Sequence, residues 1–82
     1  MNISGHALRR MLERGFTAEM LEEFLSGNFC NMNSKACENV VLLTNEINGK
    51  FWTLVVNSQT GNLITVRRSH KEEIDTYDSR RH

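Results

Sequence analysis

His6, Arg10 and Arg14 recur at four-residue intervals near the start of the chain, with Arg9 beside them. On a helix this spacing aims an imidazole and two guanidiniums at one patch of solvent. The set suits an anion: arginine forks bind phosphate bidentately, and an imidazole takes or gives a proton near neutrality. A second concentration, more than fifty residues later, holds Thr65, Arg67, Ser69 and His70. If folding joins the two clusters, they equip one pocket with two imidazoles and several cations. That is the minimum for RNA cleavage without a metal: one group deprotonates the ribose 2′-OH, another protonates the leaving 5′-oxygen, and arginines stabilise the charged phosphorane. The product is a 2′,3′-cyclic phosphate.

Each residue also has a plainer reading. An arginine-rich face on an amphipathic helix serves as its solvated side. His6 reads equally as a surface residue, His70 as the cap of a terminal helix, and Thr65 as an ordinary strand residue. Trp52 reads as core, or as a base-stacking platform if it points outward. Cys30 and Cys37 leave a short disulfide and two free thiols equally open. Two sulfurs without a neighbouring histidine do not make a four-ligand zinc set, so neither a metal nor a cofactor is expected. Glycine-rich phosphate loops, nucleophile elbows and clustered carboxylates are missing. A thiol enzyme is a third class, with nothing in the sequence near either cysteine to activate it.

The elements that must position these residues follow from the pattern. Ser4 to Arg14 reads as a helix capped by Ser4 and ended by Gly15, with Ala7, Leu8, Met11 and Leu12 on one side and the polar residues on the other. Thr17 caps a second helix that ends at Gly27 and buries Met20, Leu21, Phe24 and Leu25. Residues 28–36 are polar and read as an irregular connection. Three β-rich runs follow, 40–47, 51–57 and 62–68, the first two joined by Asn48-Gly49, the strongest short hairpin signal. Alternation sets Leu63, Thr65 and Arg67 on one face of the last run, and Ile64, Val66 and Arg68 on the other. Ile74 and Tyr77 allow a short terminal helix over 70–77, and residues 79–82 read as frayed. The fold class is α+β: two N-terminal helices packed on a three- to four-stranded antiparallel sheet, in a single domain over 1–82.

Composition agrees. Hydrophobic residues make up 39% and charged residues 24% of the 82, ordinary for a soluble globular domain with room for one core. No apolar run approaches the length of a membrane span, and no signal-peptide pattern opens the chain. Ten basic and ten acidic residues cancel, yet their distribution is uneven. Residues 1–14 carry three arginines against Glu13, residues 15–50 are acidic, and the remainder is slightly basic. Two chain ends that meet would form a basic patch on a neutral molecule.

The segment His6-Ala7-Leu8-Arg9-Arg10-Met11-Leu12-Glu13-Arg14-Gly15-Phe16-Thr17 resembles the opening of small bacterial toxin domains of the barnase, EndoU, colicin and RelE-like group, in a family with the pattern His-Ala-x-x-Arg-Met-x-x-Arg-Gly-hydrophobic-Thr/Ser. Residues 55–66 are similar to that family's closing hairpin, whose last strand ends in Thr-Val. The resemblance covers most of 4–66. It implies two helices on an antiparallel sheet, with a ribonuclease site on the concave sheet face beside the helices. His6 and Arg10 match the helix motif and Thr65 the end-strand threonine. Arg14 belongs to the motif with a structural option, anchoring the loop at Gly15. Ser69 and His70 match no family position and rest on residue type alone.

The resemblance further implies a domain from the tip of a larger secreted or surface toxin, of the contact-dependent growth inhibition kind or another polymorphic type. Met1 would then be an added initiator, and the domain would act in the target-cell cytoplasm. It also implies a cognate immunity protein, acidic where it covers the basic patch. The leading expectation is therefore a metal-independent ribonuclease acting on RNA such as tRNA. His6, Arg10, Thr65 and His70 would be catalytic, with Arg9, Arg14, Arg67 and Ser69 binding substrate. The alternative is a non-catalytic module that holds RNA or protein on the same patch.

Overall fold

The computed structural model describes residues 1–80. Helix α1 spans Gly5–Arg14 and α2 spans Ala18–Ser26. Ser4 Oγ accepts the Ala7 N–H at 3.0 Å, and Thr17 Oγ1 accepts the Met20 N–H at 3.1 Å, so each helix starts at its expected cap. Gly15 ends α1 at φ 68°, with its N–H on the Leu12 carbonyl and that of Phe16 on Met11. This paired closure needs a residue that tolerates the left-handed region. It also turns Phe16 into the core, where it is 2% exposed.

Four strands follow, β1 Cys30–Asn33, β2 Val40–Ile47, β3 Lys50–Asn57 and β4 Leu63–Arg68, paired antiparallel in the order β1-β2-β3-β4. Asn48 and Gly49 both take positive φ, 52° and 81°, and Ile47 pairs with Lys50. The two-residue hairpin therefore forms where its sequence signal lies. Strand β1 occupies a segment that reads as irregular. Its Cys30-Asn31-Met32-Asn33 does alternate, with Cys30 buried, Met32 half-buried and both asparagines exposed, but four residues with two asparagines give a weak signal.

The sheet carries helices on both faces. Trp52, Leu54 and Val56 join Phe16, Phe24 and Val66 in the main core beneath α1 and α2. Thr53, between them on β3, faces the other way, toward α3, which spans Lys71–Arg80. Helix α3 runs past the expected 70–77, so Ser79 and Arg80 are helical; residues 81 and 82 lie outside the described residues. The sequence alternation for β4 also needs correcting. Val55 pairs with Thr65 but Val56 with Leu63, so Ile64 is an extra bulged residue. The bulge puts Leu63 on the same face as Val66, both fully buried.

The apolar side of α1 is only partly used. Ala7 and Met11 are buried, but Leu8 is 51% and Leu12 77% exposed. The reason is position: α1 packs on β4, the last strand of the sheet. It therefore covers only the stripe of Ala7 and Met11, and the leucines, rotated about 100° further round, look past the sheet edge.

Candidate functional site

The N-terminus is tied to β4. Residues 2–4 run beside its start, with the Ser4 N–H on the Leu63 carbonyl at 3.2 Å and the Leu63 N–H on the Asn2 carbonyl at 2.8 Å. Ser4 Oγ also reaches the Ile64 carbonyl at 3.4 Å. The first turn of α1, which carries His6, thus starts beside Leu63 and Ile64. At the other end, Phe16 packs on Trp52 with ring centroids 5.0 Å apart, and Trp52 pairs across the strands with Arg68. Helix α1 therefore lies along β4 from its start to its end.

This alignment sorts the candidate residues into two groups. His6, Arg9 and Arg14 are exposed on α1, and Arg10 is half-buried with Nη1 on Glu13 Oε2 at 3.0 Å. Thr65 is half-buried on β4, opposite Val55, and shares the sheet face of Arg67 and Thr53, so it points away from α1 and does not join His6. The side chains of His6, Arg9, Arg14 and Thr65 make no hydrogen bond or ion pair with the described residues, which leaves them available to a ligand.

Arg67, Ser69 and His70 have other work. The carboxylate of Glu73, on α3, is 4% exposed. It accepts Arg67 Nη1 at 2.8 Å and Nη2 at 2.6 Å, the His70 backbone N–H at 2.7 Å and Thr53 Oγ1 at 3.0 Å. Because Thr53 spends its only proton on Glu73, it must accept from both other hydroxyls, Ser69 Oγ at 2.7 Å and Thr44 Oγ1 at 3.1 Å. Burial alone would raise the Glu73 pKa. The Arg67 hydrogen bonds, with those from His70 and Thr53, outweigh it and hold the carboxyl at about 2. The His70 carbonyl accepts the Glu73 and Ile74 N–H groups, so His70 caps α3 through its backbone. The guanidinium of Arg67 is committed to Glu73 rather than free for phosphate.

The two imidazoles do not share a pocket. His6 sits at the start of β4 and His70 beyond its end, six strand residues away, about 20 Å at the rise of an extended chain. General acid and base on one phosphate must each be within hydrogen-bond reach of it, so His70 is no partner for His6. Trp52 is core, 5% exposed, with Arg68 over its ring at 5.4 Å, and is no stacking platform. Cys30 and Cys37 are free. Cys30 opposes Thr44 at the far end of β1 while Cys37 lies in the turn beyond Asn33, a separation beyond the roughly 7 Å that a disulfide spans between Cα atoms.

The chain matches no family model, no curated protein and no solved structure. No helix among the described residues is long and apolar enough to cross a membrane. What remains is the site itself. His6, Arg9, Arg10 and Arg14 line a helix about 15 Å long, and exposed Arg68 and Lys71 continue the positive charge past the end of β4. Exposed Glu19, Glu22 and Glu23 lie on α2.

Glu73, Thr53 and Thr44 are not among the residues that type and spacing single out. A signal was present: Glu73 stands three residues after His70, the spacing of a capping glutamate. Sequence also gave no notice of a cleft of about 710 Å³ between the end of α2, β1, β2 and α3, where the Tyr77 hydroxyl donates to Asn45 Oδ1 at 3.1 Å and Asn45 Nδ2 to the Phe24 carbonyl at 3.1 Å. Gly27 borders it, and a Cβ there would sit 3.0 Å from Asn45 Nδ2, so this glycine serves close approach.

Proposed function

We propose that the protein acts on RNA, binding the backbone along α1 and the end of β4 and cleaving it at the His6 end without a metal. One observation carries the reading: His6 and Arg14, exposed on one side of α1 without internal partners, and Arg10 between them are residues that match the toxin-domain motif. The unmatched Ser69 and His70, with Arg67, are tied to the start of α3 instead. In the proposed reaction the His6 imidazole takes the proton of a ribose 2′-OH as its oxygen attacks phosphorus. The bond to the 5′-oxygen breaks, the imidazolium returns the proton to it, and a 2′,3′-cyclic phosphate remains. Arg10 and Arg14 offset the charge on the phosphorane, while Thr65, on the sheet face away from α1, takes no part in that step. The same resemblance supports delivery from a larger toxin and neutralisation by an acidic immunity protein.

Incubation with total tRNA in EDTA tests this. Cleavage to cyclic-phosphate ends is expected, lost in His6→Ala with an unchanged thermal transition. Activity retained by His6→Ala would overturn the role of His6. The separation of His6 from His70 favours a second reading, binding without cleavage, in which salt-sensitive tRNA binding occurs with no product.

A further inference from the structure

Half of the apolar side of α1 faces solvent. Leu8 and Leu12 are one turn apart, and Leu12 is the most exposed of the large hydrophobic residues. Gly5 falls on the same face, one turn before Arg9, with open space around the position of a Cβ. Arg9 and Glu13, also one turn apart, border the leucines on a single flank. We propose that the protein pairs with a second copy of itself through this face of α1, antiparallel, about a two-fold axis at the level of Arg10.

The pattern is self-complementary in that arrangement alone. The two-fold sets Leu8 opposite Leu12 of the second copy, and Leu12 opposite its Leu8, so four leucines leave water together. A two-fold perpendicular to the helices keeps the same flank uppermost on both. Arg9 of one copy then stands two residues, about 3 Å along the axis, from Glu13 of the other, and the symmetry makes that ion pair twice. Gly5 removes the side chain that would hold the helices apart at each end. A parallel two-fold would instead put the Arg9–Glu13 flanks of the two copies on opposite sides of the contact, with no ion pair across it. Glu13 can take the second guanidinium while keeping Arg10, since a carboxylate has two oxygens and only Oε2 is engaged. The flank carrying Arg10 and Arg14 points away from the contact, so pairing leaves both basic rows exposed on the outer sides of the pair.

One helix face is small against an ordinary interface, so association is weak, with a dissociation constant on the order of tens to hundreds of micromolar. Sedimentation equilibrium of the whole chain without RNA, from about 10 to 500 µM, tests it. The average mass is expected to rise toward that of two chains. Leu12→Lys should hold it at one chain at every concentration, with an unchanged circular dichroism spectrum, because Leu12 packs on little in the monomer. Arg9→Glu and Glu13→Arg should each weaken association several-fold, and the double exchange should restore it. A single-chain mass throughout, association indifferent to Leu12→Lys, or growth past two chains would each overturn the proposal. The measurement contains no RNA, so its outcome is separate from that of the functional reading.

Discussion

Arg67 grips Glu73 with both ends of its guanidinium, Nη1 to Oε1 at 2.8 Å and Nη2 to Oε2 at 2.6 Å. The pair joins the last strand to the helix that follows it and sits beneath a hydroxyl relay from Ser69 and Thr44 through Thr53. Removing the carboxylate would leave a guanidinium, a backbone N–H and a hydroxyl without their acceptor. Glu73→Ala is therefore expected to destabilise the fold by about 3 kcal/mol, read as a lower urea midpoint with an unchanged slope.

The same carboxyl gives the fold a defined response to acid. Its folded pKa, about 2, lies below the ordinary 4.5, so folding favours the ionised form. Its contribution is complete above pH 4.5 and is lost as pH falls from there through 2. Urea midpoints taken between pH 6 and pH 2.5 should decline for the native chain. In Glu73→Gln, which starts lower, the decline should be shallower by this one group.

At the β2–β3 hairpin, Gly49 holds φ at 81°, a region costly for any residue with a Cβ. Nothing lies within 4 Å of that Cβ position, so the cost is conformational alone. Gly49→Ala should lower stability by about 1 kcal/mol, whereas Gly5→Ala, at the first position of α1, should raise it by about 0.5 kcal/mol. Opposite shifts in melting temperature would check the pair.

The thiols should react unequally. Cys37 is exposed, while Cys30 is buried, with Arg80 Nη1 3.4 Å from its sulfur. Brief alkylation should label Cys37 alone by peptide mass, and Cys30 only in denaturant. Reductant should leave the melting temperature unchanged, since no bridge links the two.

Much of this molecule is legible in its sequence because the signals are local. Ser4, Thr17 and Gly15 act on backbone groups within four residues, and Asn48-Gly49 supplies two positive φ angles at the point of a hairpin. Residue alternation is equally local, and it located β2, β3 and β4. Thr65 lies on the expected face, but a bulge at Ile64 moves Leu63 to the other, because pairing register depends on a neighbouring strand.

The site was decided elsewhere. The sequence supplied His6, Arg10, Arg67 and His70 as residue types able to meet a phosphate. Which of them are free depends on what folding sets beside them. Packing α1 on β4 left His6 open and spared Leu8 and Leu12 from the core. Docking α3 on the opposite sheet face brought Glu73 to Arg67, turned Ser69 toward Thr53 and engaged the backbone of His70. A charged side chain taken out of water needs a partner at hydrogen-bond distance, and only the tertiary structure determines which residue provides it.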